Sequence, residues 1–499
     1  MSRRNRSLTT VLRHLITEEI RHARRSGGTR RQSQEQQRRA QAVSQALQEL
    51  GPFYIKVGQM LSTRPDFVPE AMLAEFGKLH DQVTPAPFAQ FEPVLARDLG
   101  IAWAGRFRDI DTAQPLGAAS LAQVYRATLA DGTPTALKIQ RPGVGEAMAR
   151  DMASLRRLAR LIARLAPRFT DVIDLPAMLG VLFEAMSAET DFRLEAQHMH
   201  QARRQCEDYK HLAVPDVLFA TEHVLAQSLA PGTSIRDADP SAFTTAERTG
   251  IGADLISLMY QGYFLDRFFH ADPHPGNIFV APGQRAHLID WGMVGRMESG
   301  LSRSVMLALL NVASNDANGL AKAWIEMGQA TPWADPAGFS SDLAGLVPKI
   351  ASASLEDLNF GVTLTAVLTH ATRRGIKTSP VISLLGKSFA NLEGSVRHLC
   401  PELSITDVFE ENLRTILFGL ASEAVSEKQA ARTALELTIL APGALGQTRD
   451  VLRNLSNHDL TFHAKVATEA GKRSFKPDPS LICASLLLAA AIVRSTRNK

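Results

Sequence analysis

Two carboxylates and a carboxamide near the middle of the chain are spaced for phosphoryl-transfer chemistry. The run His270-Ala271-Asp272-Pro273-His274-Pro275-Gly276-Asn277 is followed, thirteen residues after Asn277, by Asp290-Trp291-Gly292. Two apolar runs, Ile278-Phe279-Val280 and His287-Leu288-Ile289, read as brief buried strands that bring the two motifs together. Asp272 then lies where it can accept the proton of a hydroxyl or water attacking a γ-phosphate. Asn277 and Asp290 offer the hard oxygen ligands that Mg²⁺ prefers. Two other readings stay open at this point. His270, Asp272 and His274, at alternate positions, fit a transition-metal set in a hydrolase, and the prolines between them fit an ordinary turn.

Such a loop needs a phosphate-binding partner, and residues 115–140 offer one. They read as a turn and strand, a hairpin turn at Asp131-Gly132, and the return strand Pro134-Thr135-Ala136-Leu137-Lys138-Ile139-Gln140. Gly117, Ala118, Ala119 and Ser120 are small enough for backbone N–H groups at the first bend to approach phosphates. Lys138 would meet the α- and β-phosphates as a point charge. The same segment read alone is a hairpin with a surface lysine. A continuous helix over residues 175–208 is expected next, carrying Glu189, Asp191 and Glu195. Asp191 and Glu195 are four apart and would share a face, whereas Glu189 and Glu195 would not. One of these acids is expected to pair with Lys138 and a second to face Lys56.

Lys56 belongs to residues 50–66, ahead of the hairpin. Lys56 and Gln59 are three apart, so a helix puts them on one face while Phe53, Val57, Met60 and Leu61 turn to a core. Gly58 costs that helix about 1 kcal/mol against Ala. A close backbone approach would account for it, and so would simple tolerance.

The rest of the chain bounds the setting. Its 499 residues are 45% hydrophobic and only 6% aromatic, so helix should dominate. Cys206, Cys400 and Cys483 are far apart, which suits a reducing cytoplasm and excludes a disulfide framework. Arginines crowd the first 39 residues without an apolar signal segment. That arm could lie on anionic lipid. It lacks the interleaved aromatics of a nucleic-acid binder, so no nucleic-acid partner is expected. After residue 301 the pattern is almost wholly helical and carries no motif. Residues 481–493 are mostly apolar, but about 20 residues are needed to span a bilayer. The expected divisions are a basic arm (1–40), a helical extension (41–110), a small lobe (111–230), a large lobe (231–475) and an apolar tail (476–499).

In their order and combination, these motifs resemble the UbiB/AarF family of atypical kinases. The resemblance covers residues 50–295 and rests on Lys56-Val57-Gly58-Gln59, the Ala-rich loop at 117–120, Lys138, Glu189-Thr190-Asp191, Asp272 with Asn277, and Asp290. It implies an α+β, bilobal, protein-kinase-like fold with a helical N-terminal extension and a mostly helical large lobe. It also implies ATP and Mg²⁺ as cofactors. Lys138 would orient phosphates, Glu195 fix Lys138, Asp272 position the nucleophile, and Asn277 and Asp290 hold metal. Lys56, Gln59, Glu189 and Asp191 would gate the site. The family's link to ubiquinone biosynthesis implies a lipid or quinone-precursor ligand. It also implies peripheral or tail-anchored contact with the cytoplasmic face of a membrane. A mitochondrial setting and a homodimer are compatible with it. Three features depart from the family: Trp291 stands where Phe is usual, in the same packing role; the Ala-rich loop starts with Gly117, which could loosen nucleotide selectivity; and the C-terminal run is shorter than a pair of spanning helices. Two alternatives are a nucleotide-gated lipid-binding chaperone and a small-molecule kinase. The latter class lacks the Lys-Val-Gly-Gln box.

Overall fold

The computed structural model describes residues 29–62, 64, 68–79, 84–119, 121–165, 175–352 and 360–424. Most of the basic arm, Ser120 and the 481–493 run lie outside these residues.

The extension is built on apolar helix faces. Helices α1 (Thr29–Leu50), α2 (Pro52–Leu61) and α3 (Glu70–Phe76) bury Val43, Leu47, Phe53, Tyr54, Met72 and Phe76 in one cluster. Helices α4 (Glu92–Leu99), α5 (Val144–Leu165) and α6 (Leu175–Thr190) follow in sequence, and α5 and α6 add Met148, Leu155, Phe183 and Met186 to that cluster. Gly51, at φ 108°, makes the sharp turn between α1 and α2, and Pro52 opens α2 where its missing N–H costs nothing.

The sheet that carries Lys138 is antiparallel. Its strands are β1 (Phe107–Ile110), β2 (Gly117–Ala118), β3 (Ala122–Leu129), β4 (Pro134–Gln140), β6 (Val217–Ala220) and β7 (Val224–Ser228). The order is β1-β3-β4-β7-β6, with β2 paired to β3. The turn between β3 and β4 is the expected one: Gly132 sits at φ 95° and Thr133 N–H donates to the Asp131 carboxylate. Leu137 and Ile139 are fully buried against Tyr125, Phe91 and Val224. Successive strand residues face opposite ways, so Lys138 between them must face away from that core.

The helix expected over 175–208 is instead two helices. Asp191 (φ −139°, ψ 98°) is extended, ends α6 and caps α7 (Phe192–Cys206) by accepting from Arg193 N–H. Aspartate favours this position because its carboxylate satisfies an otherwise orphaned helix N–H. The apolar periodicity on either side masks the break, and Asp191 and Glu195 do not share a helix face as expected.

In the large lobe, α8 (Thr245–Phe264) starts with a reciprocal cap between Thr244 and Glu247. It leads to β9 (Phe268–His270), which pairs with β12 (Val294–Arg296). A second small sheet runs β5 (Leu212–Ala213), β11 (Ala286–Leu288), β10 (Ile278–Val280), β8 (Thr233–Ser234). The helical region follows as α9 (Ser299–Ala313), α10 (Ala317–Met327), α11 (Pro336–Ser352), α12 (Phe360–Arg373) and α13 (Pro380–Leu399). It is interrupted by a two-stranded pair, Gln329–Ala330 with Ile376–Lys377, which the helical reading did not include. The protein is α+β. Glu411 begins a second unit, of which the end of the helix Ile405–Ala424 is described. Among the described residues, no helix is long and apolar enough to cross a membrane.

Candidate active site

The loop after β9 is fixed by its histidines. His270 is buried; its Nδ1 accepts from Asp272 N–H (3.1 Å) and its Nε2–H donates to the Ile289 carbonyl (3.1 Å). These two bonds require the neutral ring protonated at Nε2, and burial pushes its pKa down in the same sense. His274 Nδ1 accepts from Gly276 N–H at 2.9 Å. Both nitrogens of His270 are therefore occupied by backbone, and the transition-metal reading of His270, Asp272 and His274 does not fit. Among the described residues, no three His, Cys, Asp or Glu side chains gather as a metal cluster.

The two expected strands bring Asn277 to Asp290. Ile278 faces Leu288 across the β10–β11 pair, and Ile289 N–H donates to the Asn277 carbonyl at 2.9 Å. Asn277 Nδ2 donates to the Asp272 carbonyl at 3.1 Å, which sets the direction of the amide oxygen. Asp290 sits at φ 58°, in the left-handed region that Asp and Asn enter more readily than other side chains. Lys138 holds its carboxyl well below the usual range against the cost of removing it from water, and Lys56 adds to the effect. The side chain remains 45% exposed. An ionised carboxylate and a fixed carboxamide oxygen form a hard oxygen pair, and this donor set suits Mg²⁺. Behind it, Trp291 stacks on Phe268 (6.0 Å, 11°) and donates from Nε1 to the Leu288 carbonyl.

Lys138 reaches this loop from the sheet. Its Nζ donates to both oxygens of Glu195, at 2.9 and 2.8 Å, and to Asp290 Oδ1 at 3.1 Å. The ammonium also lies 5.2 Å from the centre of the Phe192 ring. Glu195 is 1% exposed, so its charge requires this partner. One turn on, His198 Nδ1 contacts the Trp291 carbonyl at 3.0 Å. Helix α7 thus ties both the sheet lysine and the Asp290 loop.

Asp272 has partners that sequence reasoning missed. Lys387 Nζ donates to its Oδ2 at 2.9 Å, and Asn391 Nδ2 donates to its Oδ1. Burial raises the Asp272 pKa, but Lys387, with smaller help from His274 and Lys56, more than offsets this and holds the carboxyl below its ordinary value. Lys387 and Asn391 come from α13, 115 and 119 residues beyond the loop. The available signal was a polar i, i+4 pair within an apolar helix, which does not say what it faces.

The remaining expected residues are placed unevenly. Lys56 is half-buried, and its charge acts on both Asp272 and Asp290. Gln59 Nε2 donates to the Leu79 carbonyl at 2.9 Å, holding α2 to the chain after α3. Asp191 does not face Lys56 as expected: its carboxylate pairs with Arg193 at 2.9 and 2.8 Å, because it is the α7 cap. Glu189 ends in α6, and its side chain is outside the description. In the Ala-rich bend, Gly117 and Ala118 form β2, and the Ala119 carbonyl accepts from Arg141 Nε at 2.9 Å. Ser120 lies outside the described residues.

The ABC1 atypical kinase-like domain matches residues 78–324, and the UbiB helical domain matches residues 343–404. A probable protein kinase UbiB of Aliivibrio fischeri is 30% identical over 372 residues, covering 72% of this chain and 67% of that one. An uncharacterized protein of Synechocystis is 30% identical over 367 residues, covering 71% and 89%. Among solved structures, the Rv3197–erythromycin complex of Mycobacterium tuberculosis superposes with a TM-score of 0.50 at 25% identity, covering 71% of this chain and 90% of that one.

Proposed function

The chain belongs to the ABC1/UbiB family of atypical kinase-like proteins, and on that premise we propose that it is an ATP-dependent phosphotransferase or ATPase that works with Mg²⁺. The observation that carries the reading is Lys138, whose ammonium contacts both the buried Glu195 and Asp290 on the adjoining loop. Lys138 orients the nucleotide phosphates, and Glu195 keeps it extended across the sheet. Asn277 and Asp290 would hold Mg²⁺, which when bound supplies charge compensation on the phosphate oxygens. Asp272 orients the attacking oxygen and accepts its hydrogen bond. As the new P–O bond forms, the bond to the β-phosphate oxygen breaks, ADP leaves, and the attacking oxygen loses its proton to Asp272 or solvent.

The UbiB name carried by the Aliivibrio relative supports a link to ubiquinone metabolism; service of another isoprenoid-lipid pathway and work at the cytoplasmic face of a membrane belong to the same proposal. A second reading is a nucleotide-gated lipid-binding chaperone that yields no phosphorylated product; a solved relative complexed with erythromycin supports its small-molecule-binding part. The test is ADP release by the purified protein with Mg²⁺, with and without anionic liposomes and a quinone-like phenol, against Asp290→Asn. Turnover that rises with lipid and is absent from the variant supports the first reading. ATP binding without turnover favours the second. No ATP binding would overturn both.

A further inference from the structure

Helix α13 places four side chains on the loop that carries Asp272. Ser388 Oγ donates to the His270 carbonyl at 2.6 Å and Ser395 Oγ to the Pro273 carbonyl at 2.8 Å. Lys387 and Asn391 pass the backbone and reach the two oxygens of the Asp272 carboxylate. The helix lies in the segment matched as the UbiB helical domain (343–404), whereas Asp272 lies in the kinase-like domain (78–324). Residues four apart share a helix face, so Lys387 and Asn391 act as one rigid fork. The serine bonds hold the loop by its backbone. The Lys–Asn pair is directed to the atoms that would touch the reacting oxygen.

We infer that Lys387 and Asn391 are positioning residues for phosphoryl transfer: they fix the direction of the Asp272 carboxylate, and the helical domain thereby completes the active site. This rests on the ATP-dependent reading above. An ionised carboxylate has about four lone-pair sites. The fork takes one on each oxygen and leaves sites for the hydroxyl or water that attacks. The Lys387 and Asp272 side chains are 19% and 23% exposed, so the pair is shielded enough to stay ordered yet borders solvent where an acceptor enters. A fixed acceptor group raises the rate through geometry, and about 1 Å of misplacement costs roughly a hundredfold. The fork does not touch Lys138 or Asp290, so nucleotide affinity should not depend on it.

The experiment compares kcat and the KM for ATP, with Mg²⁺, in wild type, Lys387→Met, Lys387→Arg, Asn391→Leu and Asp290→Asn, each checked by thermal melting. Expected is a kcat lower by roughly a hundredfold in Lys387→Met and Asn391→Leu. Their KM for ATP should stay within about twofold, with partial recovery in Lys387→Arg. If Lys387→Met does not fold, Asn391→Leu and Lys387→Arg carry the comparison. Wild-type kcat in both Lys387→Met and Asn391→Leu overturns the inference while leaving the ATP-dependent reading intact. Equal loss of kcat and ATP affinity without recovery in Lys387→Arg also overturns it. A wild type no more active than Asp290→Asn overturns the ATP-dependent reading, and the inference with it.

Discussion

Lys138 Nζ sits 2.9 and 2.8 Å from the two oxygens of Glu195, bridging strand β4 and helix α7 across 57 residues. The two ends of this pair are not equivalent. Glu195 is 1% exposed, whereas Lys138 has Asp290 as a second partner. Lys138→Met removes the cation from a buried carboxylate and should destabilise the fold by about 3–5 kcal/mol. Glu195→Gln leaves Lys138 with Asp290 and should cost about 1–2 kcal/mol. Denaturant melts of the two variants check this order. A larger loss in Glu195→Gln would show that the pair is not held together by the burial of Glu195.

Asp290 combines a left-handed backbone with a charge facing Lys138. Asparagine tolerates that backbone, whereas alanine should add about 1–2 kcal/mol of strain. Asp290→Asn keeps the backbone but gives up the charge facing Lys138, so it is expected to melt below the wild type, though above Asp290→Ala, while losing Mg²⁺-dependent ADP release. The loss should exceed the roughly 10–100-fold typical of removing an outer partner of a metal site. Asp290→Ala should lose the same activity and melt lower. Retained turnover in Asp290→Asn would remove Asp290 from the metal site.

The residues legible in the sequence are those whose chemistry is local. Asp272, Asn277 and Asp290 announce themselves by spacing, and Lys138 by its place on a strand between two apolar residues. Their convergence follows from short antiparallel pairs, such as Ile278 with Leu288. Two things were not legible. The break at Asp191 hides in an unbroken apolar period, although aspartate is a strong helix cap. Lys387 and Asn391 meet Asp272 only after more than a hundred intervening residues have folded back. Nothing in an i, i+4 polar pair names a partner at that distance. Gly58 lay between the two cases, because its type was informative but its cause was left open.

Structure supplies that cause. A Cβ at Gly58 would lie 2.3 Å from Leu79 Cδ1 and 2.8 Å from Leu47 Cδ1. Alanine improves helix propensity by about 1 kcal/mol. Overpacking a filled core costs about 1–3 kcal/mol. The clash should win, because Leu47 and Leu79 are themselves buried. Gly58→Ala is expected to lower stability by about 1 kcal/mol and Gly58→Val by more, read from chemical denaturation. A stabilised Gly58→Ala would mean that the two leucines move aside freely.

Arg374 joins the helical region through Asp342, donating from Nε and Nη2 at 2.8 Å each, and it also reaches Asp335. Hydrogen bonds from Arg374 lead the causes that bring the Asp342 pKa down to about 2. An unperturbed aspartate has a value of about 3.9, which stands for the unfolded chain. The folded state therefore binds fewer protons between these values, and stability rises with pH across that window. The contribution is complete above about pH 4 and fades as pH falls through about 2. Asp342→Asn removes it at every pH. The melting temperatures of wild type and Asp342→Asn should differ above about pH 4 and converge toward pH 2. Arg374 is 36% exposed, so the plateau difference should be small and should shrink in high salt. A gap that widened on acidification would mean that Asp342 is not held as a carboxylate by Arg374.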